Sequence, residues 1–84
     1  MPGATDRSSS TSRAFGQAVR KFRKTQGLSQ EELGFKSGLD RTYISGIERG
    51  TRNPTLESLC RIARALGVPP SEIVREAERN LEAC

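Results

Sequence analysis

The sequence predicts an all-α protein of five short helices closing on one small core. Three regularities lead there. Apolar residues recur at spacings of three and four in four segments, the period that lines one face of a helix, and a capping box marks a further short segment between the first two. Glycines at 27, 38, 50 and 67 follow four of those segments, where a left-handed C-cap residue belongs. Ser29, Asp40 and Thr55 precede three of them, where a side-chain oxygen can accept from the free amides of a first turn. With 84 residues in all, the chain has room for a single hydrophobic core.

Residues 1–13, MPGATDRSSSTSR, are polar and without apolar period, and read as a flexible arm that cannot offset its ordering entropy by burial. Residues 14–84 form the domain. Its first helix carries Phe15, Ala18, Val19 and Phe22 inward and turns Arg20, Lys21, Arg23 and Lys24 to the wetter side, stopping at Gly27. In LSQEELGF, Ser29 followed three residues later by Glu32 is a capping box that opens a second helix over 30–36. Gly38 then makes a tight turn. Asp40 caps a third helix with Ile44 and Ile47 on its inner side and Arg41, Thr42 and Ser45 outward, and Gly50 ends it.

The loop RGTRNP leads to a fourth helix, capped by Thr55, marked by Leu56, Leu59, Ile62, Ala63 and Leu66 and closed by Gly67. A fifth starts near Pro70 or Ser71 and runs over about 70–82, with Ile73, Val74, Ala77 and Leu81 in an apolar stripe. That stripe has few obvious partners within the chain. It is therefore the expected contact with a second subunit, in a two-fold homodimer.

Charge is distributed unevenly. The whole chain is +4, with +1 in residues 1–14, +5 in 15–68 and −2 in 69–84. The basic middle favours an anionic partner, nucleic acid or a charged surface. The acidic end, with Glu72, Glu76, Glu78 and Glu82, suits subunit association better than phosphate.

Several function classes are disfavoured. The chain has no His and only Cys60 and Cys84, too few ligands for a structural zinc site, and neither metal nor cofactor is expected. No arranged nucleophile and base suggests an enzyme. There is no apolar run long enough to span a membrane and no export segment, which points to the cytoplasm. With one Tyr, three Phe and no Trp, a stacking platform for single strands would be poor.

The stretch LSQEELGFKSGLDRTYISGIERGTRNPTLESLCRIARALGV resembles the phage-repressor and Cro-like helix-turn-helix transcription regulators, over about residues 15–74. Gln30 opens the second helix and Gly38 sits in the turn. YISGIERG and NPTLESLCRIARALGV carry the rest of the pattern, and GLDRTYISGIERG is similar to the controller proteins of restriction-modification systems. The resemblance implies a recognition helix over 41–48 lying in the major groove of double-stranded DNA. Arg41, Thr42 and Ser45 are then the base-edge readers, Arg41 being suited to guanine O6 and N7. It assigns Gln30, Tyr43, Arg49, Arg52 and Asn53 to phosphate and sugar, and gives Gly46 the role of easing close approach to the groove.

A dimer of this kind would recognise a palindromic operator and act as a repressor or, as a controller protein, in both directions. Glu31, Glu32 or Glu48 would be available to RNA polymerase. The competing reading is an antitoxin-like module that binds a toxin through its terminal helix and arm and represses its own operon. Gly34 stands where the family usually has Ala, so a loosened second helix is also expected.

Overall fold

The structure, a computed structural model, describes residues 10–83. They form α1 (Ser10–Thr25), α2 (Gln30–Ser37), α3 (Arg41–Arg49), α4 (Leu56–Leu66) and α5 (Pro70–Ala83). The five predicted helices are all present, and the three predicted caps close as expected. Ser29 Oγ accepts the Glu32 N–H at 3.0 Å while Glu32 Oε1 accepts the Ser29 N–H at 2.8 Å. Asp40 Oδ1 accepts from Thr42 N at 2.9 Å, and Thr55 Oγ1 from Ser58 N at 3.0 Å.

The first helix begins earlier than its composition suggests. Residues 10–13, expected within the arm, are its first turn, because tertiary contacts hold them. Ser12 is buried and its hydroxyl donates to Asn53 Oδ1. Arg13 lies against the end of α3, where a Cβ on Gly50 would meet Arg13 Cγ at 2.6 Å. The remainder of the expected arm, and Cys84, lie outside the described residues.

Gly38, at φ 74°, reverses the chain between α2 and α3, and Leu39 N–H closes the turn on Gly34 O at 2.9 Å. A Cβ on Gly34 would stand 2.7 Å from Leu39 O. The expected loosening by a missing methyl is thus corrected: the turn closes so tightly on α2 that there is no space for the methyl.

Val19, Leu33, Ile44, Ile47, Ile62 and Ile73 are fully buried. Each stabilises the fold by about 1.5–3 kcal/mol relative to exposure. α5 lies chiefly along α1, which also packs on α3, while α2 sits between α3 and α4. The α1–α5 pair is antiparallel, with Lys21 Nζ 3.0 Å from Glu76 Oε2 near one end and Asn80 Nδ2 donating to Ala14 O at 3.0 Å near the other.

This packing corrects the assignment of the whole α5 stripe to a dimer. Ile73 and Ala77 are buried in the monomer core, because α5 lies along α1 and also packs on α4. Val74 and Leu81 remain 44% and 39% exposed. Leu56, expected inward, is 81% exposed at the first position of α4. Among the described residues no helix is long and apolar enough to cross a membrane.

Candidate nucleic-acid interface

α3 has two chemically distinct sides. Ile44, Ile47 and Glu48 are buried, whereas Arg41, Thr42 and Arg49 are exposed and Ser45 is half-buried. Positions 41, 45 and 49 are spaced by four and 42 and 45 by three, so these residues share the outer stripe. All three predicted base readers thus come together at the N-terminal half of one exposed face. Thr42 is partly committed: its hydroxyl donates to Asp40 Oδ1 at 2.9 Å. Its oxygen lone pairs and methyl are left for an outside partner.

The same cap fixes the charge beside Arg41. Hydrogen bonds from the Thr42 backbone N–H and then from its hydroxyl hold the Asp40 carboxyl below the usual carboxylate range. An ionised cap at the start of α3 is also favourable to the helix dipole. Its bonds hold it against the N-terminal end of its own helix, at the edge of the outer stripe.

Gln30, the first residue of α2, is half-buried, and its amide Nε2 donates to Glu48 Oε1 at 3.0 Å. One amide N–H is therefore spent within the protein, leaving the second N–H for phosphate and the carbonyl oxygen for a donor. Glu48 is in turn held by Arg23, through Nε to Oε2 at 2.6 Å and Nη2 to Oε1 at 2.9 Å, while Arg23 Nη1 donates to Leu28 O at 2.8 Å. The bond to Glu48 raises the Arg23 pKa further above its already high ordinary value.

Two expectations are corrected by this cluster. Arg23 belongs to the interior and not to the wet side of α1, and the Glu48 side chain, 1% exposed, is out of reach of a polymerase. Neither residue figured among the predicted DNA-contacting residues. A signal was available: Arg23 lies four residues after Val19, and Glu48 four after Ile44, so opposite charges occupy the apolar faces of two helices.

The remaining predicted residues surround the C-terminal part of α3. The Arg52 guanidinium carbon is 5.7 Å from the centroid of the half-buried Tyr43 ring, within cation–π range. Arg49 Nε donates to Ser45 O at 3.3 Å, which folds its side chain back along α3. Asn53 accepts the Ser12 hydroxyl, so it ties the loop to α1 and keeps its amide N–H groups for other partners. Gly46 serves a different end from that expected. It is buried, and a Cβ there would meet Arg52 Cγ at 2.5 Å, so the space it leaves holds the Arg52 stem and not a groove wall. Among the described residues, no group of three carboxylates or thiols could hold a metal ion.

Comparison with known proteins matches the helix-turn-helix family over residues 19–73. The chain is 51% identical over 61 residues to control protein C.BamHI of Bacillus amyloliquefaciens, covering 71% of this chain and 75% of that protein. It superposes with a TM-score of 0.73 on the restriction-modification controller protein C.AhdI from Aeromonas hydrophila, at 48% identity and over 74% of this chain and 94% of that one. The controller protein C.Esp1396I, solved as a tetramer in complex with its natural 35 base-pair operator, matches at a TM-score of 0.78 and 38% identity, over 86% and 95% of the two chains.

Proposed function

The chain belongs to the helix-turn-helix family matched over residues 19–73, and on that premise we propose that it is a homodimeric regulator of transcription that recognises a palindromic operator in double-stranded DNA. The observation that carries this reading is the two-sided character of α3. Its inner side is locked into the core and its outer side offers Arg41, Thr42 and Ser45.

Each residue has a role set by its chemistry. Arg41 is the bidentate donor suited to a guanine edge, and Thr42 and Ser45 supply a methyl and hydroxyls to neighbouring bases. Gln30, Tyr43, Arg49, Arg52 and Asn53 take phosphate and sugar, which sets register without reading sequence. Val74 and Leu81 are the exposed apolar residues of α5, and they are the part of the stripe left for the second subunit. Two copies related by a two-fold axis then place two α3 helices in successive major-groove half-sites.

The relatives are named as control and controller proteins, and one was solved on its operator, which supports a role in binding rather than in catalysis. The test of the regulatory role is transcription in vitro from a promoter library with purified polymerase. Addition of the protein should change output from those promoters that carry its binding site and leave the others unaltered. Binding without any promoter-specific effect would refute it.

A further inference from the structure

A cleft between the last turn of α2 and the middle of α4 plays no part in the reading above. It encloses about 330 Å³, at the lower end of the range for small-molecule sites. Its walls carry three cations, Lys36 from α2 and Arg61 and Arg64 from α4, against one carboxylate, Glu57.

That carboxylate is already engaged. Arg61 reaches Glu57 Oε2 with Nη2 at 3.1 Å and Nε at 3.4 Å, so Glu57 opposes an incoming anion less than its charge suggests. Lys36 and Arg64 have no ion-pair partner among the described residues. Two unpaired like charges and a third, half-neutralised one thus share a concave site with formal charge +2. Such charges repel one another until an anion stands between them.

We propose that this cleft binds a compact phosphate group, inorganic phosphate or the head of a phosphomonoester. Arg64 supplies a planar fork that matches two phosphate oxygens, and Lys36 a mobile ammonium on the opposite wall. Arg61 stays with Glu57 and adds charge from the side. The volume accommodates the head group. None of its lining residues belongs to the proposed DNA surface, and its test contains no DNA.

Cys60 is exposed and lines the same cleft, which makes its thiol a reporter. The full chain carrying Cys84→Ser is alkylated with iodoacetamide while inorganic phosphate replaces chloride at constant ionic strength, with a sugar monophosphate as a parallel arm. Phosphate should protect Cys60 in a saturable way, slowing alkylation several-fold, and should raise the thermal unfolding midpoint. Lys36→Gln with Arg64→Gln, both at exposed positions, should abolish protection while the protein remains folded by circular dichroism. Protection by both anions assigns the site to phosphomonoesters as a class, and protection by inorganic phosphate alone narrows it to the free ion. An alkylation rate indifferent to either anion, or equal protection in the double variant, would overturn the proposal.

Discussion

Arg23 and Glu48 meet through two N–H···O bonds, at 2.6 and 2.9 Å, across the buried seam between α1 and α3. The same carboxylate accepts Gln30, so the first residue of α2, the end of α3 and the last part of α1 are joined at one anion. A charge pair in this position contributes less to stability than to arrangement. Its desolvation largely offsets its attraction, yet removal of one partner leaves the other charged and buried.

Glu48→Ala should therefore cost about 3–5 kcal/mol of stability, read as a fall in the urea midpoint. The paired change Arg23→Met with Glu48→Leu should recover most of that loss. Operator affinity should stay low in the paired variant, because Gln30 has lost the acceptor that orients it. Full recovery of both stability and affinity would show that the cluster does not position Gln30.

Gly16 lies where the backbones of α1 and the end of α3 approach closely. A Cβ there would stand 2.8 Å from Glu48 O and nearer still to Ile47 O, both backbone atoms that cannot rotate away. Gly16→Ala should gain about 1 kcal/mol of helix propensity and lose more than that to overpacking, which costs about 1–3 kcal/mol and occasionally more. The net result is a lower thermal midpoint. A rise in midpoint would mean that the helices separate freely.

The Asp40 cap makes a pH prediction with a definite sign. Its folded-state pKa lies below the unfolded value, so its contribution is present above the unfolded value and is lost as pH falls through the folded one. Stability should decline below about pH 4. Asp40→Asn retains a capping oxygen without the titration and should flatten that part of the curve in denaturant unfolding. An unchanged slope would place the acid sensitivity elsewhere.

The division of the α5 stripe predicts two kinds of variant. Val74→Asp and Leu81→Asp place charge on exposed positions and should leave the monomer folded while light scattering shows a lower mass at a given concentration. Ile73→Asp should unfold the chain instead, since it puts an unpaired charge into a closed core. Self-association untouched by either surface change would move the subunit contact off α5.

Helix order, the caps and the outward stripe of α3 were legible in the sequence because each rests on local spacing. Ser29 with Glu32, and Asp40 before Arg41, need no distant partner to be recognised. Ser12 was not, and Arg23 and Glu48 only as charges set on apolar faces, for the opposite reason. A polar first turn becomes helical only when Asn53 receives Ser12, and a charged residue belongs to an apolar face only when its counter-ion arrives from another helix. The α5 stripe failed on the same ground: periodicity shows that a face is apolar and says nothing about what covers it. Gly34 and Gly46 are read as functional or defective from sequence, whereas backbone and side-chain approach in three dimensions accounts for both.

The central claim is that two copies of α3 read a two-fold operator through Arg41. Selection from a randomised duplex library at controlled salt, followed by sequencing of the retained DNA, tests it directly. The wild-type chain should enrich a palindrome whose half-sites lie about 34–36 Å apart, and Arg41→Ala should lose about 1–3 kcal/mol on that operator while relaxing one base pair in each half. Retention of DNA without any enriched sequence, or an enriched site that Arg41→Ala weakens equally at every position, would contradict it.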